Sequence, residues 1–215
     1  MNIIYKTFRK VRRKISSKKR NYVSKYNLEN DFSIISCNCL GGLMYHDLKM
    51  QFLSPTINLF IETPDFIKFC LNLNEYIRLE LVEDKTFSKY PIGVLGDIKI
   101  HFLHYENFYS ARTNWNKRKE RINFDKIFVI ISDRDNFNED LLAKIDEIKY
   151  PKVLFAHKKY NDYTVFIEKD KNKKMVGDLT DYINFNGVRK YEYYFDFEKW
   201  FTGKYKSSEC MIQHK

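Results

Sequence analysis

What this 215-residue chain lacks narrows it first. No apolar run reaches the roughly 18 residues that crossing a bilayer requires, so no spanning helix is expected. Its four cysteines, Cys37, Cys39, Cys70 and Cys210, show no disulfide-framework spacing, and no secretory signal with an apolar core is present. Reduced thiols in a cytosolic protein are the expectation. Cys37-Asn-Cys39 lacks the second ligand pair that a tetrahedral zinc site needs, and no internal repeat is found. Acid is missing from residues 1–25, which hold ten lysines and arginines; that leaves 28 basic residues against 28 acidic ones for the rest of the chain. The whole formal charge of +10 therefore sits in an N-terminal arm, and the neutral body offers no basic surface of the kind that nucleic acid requires.

What is present is a foldable body behind that arm. With 44% hydrophobic and 17% aromatic residues the chain can bury a core, and its length suits one domain. In the arm, Ile4, Phe8, Val11 and Ile15 recur at spacings of four, three and four, so they share a helical face with Arg9, Arg12, Arg13 and the Lys18-Lys-Arg20 run around or after it. A basic amphipathic helix of this kind is expected to lie on an anionic membrane surface, at the inner face of the plasma membrane, with each basic group contributing about 1 kcal/mol. Strand-like runs at Phe32–Ile35, Ile98–Tyr105, Lys126–Ser132, Val153–Ala156 and Thr164–Ile167 alternate with helical patterns. They predict an α/β fold: a single domain with a largely parallel sheet flanked by helices, plus the basic arm. Lys126–Ser132, apolar almost throughout, is expected to be central. The divisions are 1–27 for the arm, 28–204 for the α/β domain and 205–215 for a disordered tail, and residues 191–201 should form an aromatic helix docked on the body.

The candidate chemistry clusters at strand ends, where open α/β sheets bind ligands. The first candidate is Ser36-Cys-Asn-Cys39 with the Gly41-Gly42 pair, which brings a thiol, an amide and adaptable backbone to one strand terminus. There Cys39 or Ser36 would act as nucleophile, or Asn38 would stabilise an oxyanion. His101 or His104 would be the general base, with Asp97 or Asp133 orienting it. Spaced by three, the two histidines point to opposite faces of a regular strand. Trp115 and Arg118 belong to a basic stretch that could meet an anionic donor. Asp133-Arg-Asp135 ends the central strand, and its two carboxylates could hold a divalent cation against a diphosphate. The plainer alternatives are a tight turn with inert thiols at Cys37 and Cys39, a solvated basic helix around Arg118, and helix capping by Asp135 or Asn136.

Taken in order, Phe32–Gly42, Ser54-Pro55, Pro64–Phe69, Tyr90–Asp97, His101–Tyr105, Trp115–Lys119, Ser132–Asp135 and the Tyr-rich segment before Trp200 resemble a bacterial domain-of-unknown-function family of exopolysaccharide and capsular polysaccharide biosynthesis proteins. The resemblance spans residues 30–203 and implies a pathway rather than a reaction, with no catalytic residues to carry over. The strand and Asn-Cys opening is also similar to capsule-biosynthesis acyltransferases. Set in that pathway, the strand-end residues and the basic arm lead to the expectation of a cytoplasmic, membrane-surface transferase acting on a lipid-linked or oligosaccharide intermediate, by acyl transfer with an acyl-CoA as donor. The alternatives are a glycosyl or glycosyl-phosphate transferase using a nucleotide-sugar with Mg²⁺ or Mn²⁺ at Asp133 and Asp135, or a non-catalytic adaptor in a polysaccharide assembly complex. If the sheet is parallel, the Ser36–Gly42 and Asp133–Asp135 ends should share one edge.

Overall fold

The computed structural model describes residues 3–86 and 89–214, with the side chains of the first helix described from Thr7 onward. Ile4 of the expected apolar stripe therefore has its side chain outside the described set. Along the chain run α1 (Ile3–Lys19), β1 (Ser33–Ser36), α2 (Leu40–Asp47), α3 (Thr63–Leu71), α4 (Leu73–Tyr76), β2 (Val82–Glu83), β3 (Ile92–Leu95) and β4 (Ile98–His101). There follow α5 (Phe108–Lys119), β5 (Ile127–Ser132), α6 (Leu141–Asp146), β6 (Lys152–Ala156), β7 (Thr164–Phe166), α7 (Lys190–Tyr194) and α8 (Phe197–Phe201).

β5, buried at every position, is paired on both sides, as its unbroken apolar run demands. The main sheet runs β1-β5-β6-β7 and every pairing in it is parallel. Side chains alternate with the two-residue period of a strand. Ile35, Val129, Ile131, Leu154 and Ala156 face a core built with α3 to α6 and the small antiparallel sheet β2-β3-β4. Trp115 of α5 lies within that core, 6.1 Å from the Phe69 ring and 6.5 Å from that of Phe102. Ile34, Phe128, Ile130, Val153 and Phe155 face the other way, onto α2, α7 and α8, where Trp200 meets Phe128 at 4.9 Å. The result is a single α/β domain of three layers.

β1 is an edge strand, and side chains close its outer edge. The Tyr45 hydroxyl accepts from Ile34 N–H (3.0 Å) and donates to the Phe32 carbonyl (2.8 Å), while Thr56 Oγ1 accepts from Ser36 N–H (3.0 Å). Backbone groups that would otherwise invite a further strand are thus satisfied. After β1 the chain turns into α2 on one face of the sheet; after β5 it leads to α6 on the other. Neighbouring parallel strands whose connections diverge in this way open a crevice at their carboxyl ends.

Three expectations differ from the structure. The strand expected over 98–105 ends at His101, so His104 lies beyond regular structure. The aromatic helix is two short ones, broken at Phe195, whose extended backbone bridges to Met211. The tail expected to be disordered over 205–215 docks as far as residue 214 is described: Cys210 is buried, Asp196 N–H donates to the Cys210 carbonyl (2.8 Å) and Ile212 N–H to that of Tyr194 (2.9 Å). The apolar Cys210-Met211 pair, packed against the second core, is what holds the tail.

Candidate functional site at the carboxyl edge of the sheet

β1 and β5 deliver their following loops side by side. Cys37 N–H donates to the Ile130 carbonyl (3.1 Å), extending the ladder one residue past β1. Asn38 then reaches across: Nδ2 donates to Ser132 Oγ (3.2 Å), while its Oδ1 accepts from Leu40 N–H (3.0 Å) at the start of α2. The two strand ends expected to share an edge are therefore joined by a side chain. Ser132 Oγ also lies 3.5 Å from Cys37 Sγ. Burial pushes the Cys37 thiol up to about 11, so it is a neutral packing group.

Gly41 and Gly42 serve packing rather than ligand approach. A Cβ on Gly41 would lie 2.9 Å from Ser36 Cβ and 3.0 Å from Ile34 Cγ2; one on Gly42 would lie 3.2 Å from Ile57 Cγ2. Gly41 lets α2 sit directly on β1, and Gly42 lets it close on Ile57. Ser36 is fully buried beneath Gly41, and its Oγ has no hydrogen-bond partner. Cys39 is half-buried with its thiol against the Leu59 carbonyl at 3.6 Å. Burial, reinforced by the charge of Asp178, raises its pKa. A thiol facing a carbonyl and a carboxylate is held protonated, the opposite of what a nucleophile needs.

A buried polar pair lies one strand further along. Asp133, 3% exposed, follows β5, and His157, 7% exposed, follows β6. One carboxylate oxygen of Asp133 accepts from His157 N–H (2.8 Å) and from the His157 ring at Nδ1; the other accepts from Val176 N–H (2.7 Å). A carboxylate only accepts, so Nδ1 carries a proton, and the lone pair of the neutral imidazole then falls on Nε2. Among the described residues, Nε2 has no hydrogen-bond partner. Asp133 was expected here but His157 was not; its signal was a histidine set directly after a short buried strand.

Around the pair, Asp135 and Asn136 adopt left-handed backbone (φ 50° and 67°), a sharp turn rather than a helix cap. Thr63 pins it, with N–H donating to the Asp135 carbonyl (2.8 Å) and Oγ1 to that of Arg134 (2.7 Å). Burial raises the Asp135 carboxyl, Glu62 adds to the rise, and Arg134 and His101 oppose it. Arg134 is half-buried and donates to the Val176 carbonyl at 3.4 Å. His101 is half-buried, stacked on Phe60 at 4.2 Å with Nδ1 3.3 Å from the Tyr90 hydroxyl, and burial lowers its pKa. Arg118 donates to the Tyr105 hydroxyl (2.6 Å) and lies over the Phe52 ring.

Other expected residues fall away. Asp97 sits in the β3–β4 turn, bound to Lys68 (2.9 Å) and Tyr76 (2.5 Å), and orients no histidine. His104 is exposed, and Trp115 is core. The Asp133–Asp135 cation site is not assembled: both oxygens of Asp133 are occupied by N–H donors, and among the described residues no group of three His, Cys, Asp or Glu could hold a metal. A groove of about 320 Å³ does lie elsewhere, between residues 19–25 and the C-terminal helices. Its acids are already engaged, Glu192 by Arg20, Asp196 by the Lys199 N–H, and Glu198 by Tyr22, Ser24 and the N–H groups of Lys25 and Tyr26.

A family model described as "Domain of unknown function (DUF1919)" matches residues 8–202. A Haemophilus influenzae (strain Rd) protein, described as "Uncharacterized protein", is 32% identical over 202 residues, covering 91% of this chain and 98% of the relative. No helix among the described residues is long and apolar enough to cross a membrane.

Proposed function

Since the chain belongs to the DUF1919 family, whose description assigns no reaction, we propose from the site itself that it is a transferase using His157 as general base at the carboxyl edge of the sheet. The observation that carries this reading is the buried Asp133–His157 pair, with the ring fixed through Nδ1 and Nε2 left open. A base oriented by a carboxylate recurs wherever a hydroxyl must be activated. The acceptor is a hydroxyl of a surface-polysaccharide intermediate, a pathway suggested by the resemblance of the ordered motifs. In the acyl-transfer form, Nε2 takes the hydroxyl proton as oxygen attacks the thioester carbonyl of an acyl-CoA. The ester C–O bond forms, the C–S bond breaks, and the proton passes to the departing thiolate. Cys39 takes no covalent part, because its environment disfavours the thiolate. Arg134, half-buried and next to Asp133 in the chain, is a cation available to an anionic donor.

The test is complementation of a strain lacking this gene with wild type, His157→Gln or Asp133→Asn, reading the mass of the surface polysaccharide repeat. Wild type should restore a modification worth one transferred group, and neither variant should. Full restoration by folded His157→Gln removes the proposal.

A further inference from the structure

The arm presents two faces with different commitments. Arg9, Arg12, Arg13, Ser16 and Arg20 turn toward the body. Arg9 and Arg13 each bridge Asp178 and Asp181, Arg12 donates to Asp181 (2.9 Å), and Ser16 donates to the Asn184 carbonyl (2.8 Å). The arginines expected at a membrane are thus spent inside the protein. A neighbouring face carries Phe8, Val11 and Ile15, which are 52%, 48% and 38% exposed, and Val23 just beyond the helix is 71% exposed. Lys10, Lys14, Lys18 and Lys19 are all exposed, and none forms an ion pair among the described residues.

We propose that this apolar stripe and its lysines seat on an anionic lipid surface. Phe8 meets the body only edge-on, at Phe185 (5.6 Å), and a helix that commits its arginines to the body while leaving this apolar side half-exposed has a use for that side. The unpaired lysines supply charge complementary to anionic headgroups, with the apolar side chains entering the acyl boundary. A second copy of the chain would set lysine against lysine, and nucleic acid offers Phe8 and Val11 nothing to enter. The arm is a fixed foot rather than a loose tether. Asp178, which it grips, lies two residues from Val176, whose N–H holds Asp133. Seating the foot therefore brings the carboxyl edge of the sheet close to the headgroup plane, which, resting on the transferase reading above, makes the acceptor a membrane-borne glycan.

Sedimentation of the full chain with phosphatidylglycerol/phosphatidylcholine vesicles tests this. Wild type should bind anionic vesicles, lose binding with added salt, and ignore pure phosphatidylcholine. Lys10→Gln/Lys14→Gln/Lys18→Gln should weaken partitioning roughly 100-fold at about 1 kcal/mol per lysine. Val11→Ser/Ile15→Ser should weaken it by about tenfold or more at a temperature where the variant remains folded by circular dichroism. Failure of wild type to bind anionic vesicles overturns the proposal, as does wild-type binding by both variants. A concentration-dependent dimer abolished by the serine variant, or nucleic-acid binding without vesicle binding, overturns it in favour of those partners. His157→Gln should bind vesicles as wild type does, so this result stands or falls separately from the chemistry.

Discussion

Arg20→Ala is expected to be among the most destabilising single changes outside the two apolar cores. The Arg20 side chain is 10% exposed and lies between two buried acids, Asp47 at 2.5 Å and Glu192 at 2.6 Å, whose side chains are 5% and 11% exposed. Its Nη1 donates further to Glu192 (2.9 Å) and to the Gly187 carbonyl (2.8 Å). Removing the guanidinium leaves Arg189 at 3.4 Å and the Tyr191 hydroxyl at 3.0 Å for Asp47, and strips Glu192 of its cation. Breaking a buried pair by deleting one partner costs about 3–5 kcal/mol. For a chain of this size that lowers Tm by about 10 °C. Arg20→Lys should recover only part of the loss, because one ammonium cannot fork between two carboxylates. Urea unfolding gives the free energies, and limited trypsin digestion should show cleavage in the arm rising in parallel, since Arg20 ties its end to α2 and α7. A loss under about 1 kcal/mol, or a lysine variant equal to wild type, refutes the reasoning.

Gly41→Ala should destabilise by about 1–3 kcal/mol, read as a urea midpoint shift, because the new methyl meets Ser36 and Ile34 inside contact distance. Cys37 has a raised pKa when folded, so its contribution is fully present below the ordinary thiol pKa and is lost as pH rises toward about 11. The fall in stability between about pH 9 and 11, on the order of 2 kcal/mol, should shrink in Cys37→Ala. Cys39→Ser should keep transfer within about twofold of wild type, since its thiol faces a carbonyl; a loss of 100-fold would restore it as nucleophile. Asp97→Asn should leave transfer unchanged, because its carboxylate holds only a surface turn.

The sheet was legible because its signals are local: an unbroken apolar run for β5, and strand-turn-helix punctuation at Cys37–Gly42. The shared edge followed from parallel pairing alone. The glycine pair was correctly placed and wrongly employed, since close approach of α2 to β1 and close approach of a ligand leave the same residue pattern. The arm was legible only in part. Its charge count is plain in the sequence, but Asp178 and Asp181, about 170 positions away, decide which arginines remain free. His101 and His104 drew attention by lying within the strand pattern of 98–105, yet His101 stacks on Phe60 and His104 lies past the strand end. His157 gave only its position after Ala156, and its partner, 24 residues earlier in the chain, becomes visible once β5 and β6 are paired.

The account rests on His157 as an oriented base. The most direct measurement is the initial rate of group transfer by purified wild type and His157→Gln on membranes from the deletion strain, at matched melting temperature. A rate lowered by about 10²-fold or more is the expected result, in keeping with the loss of a positioned general base. A rate within twofold of wild type would contradict the assignment and leave the Asp133–His157 pair a structural clasp between β5 and β6.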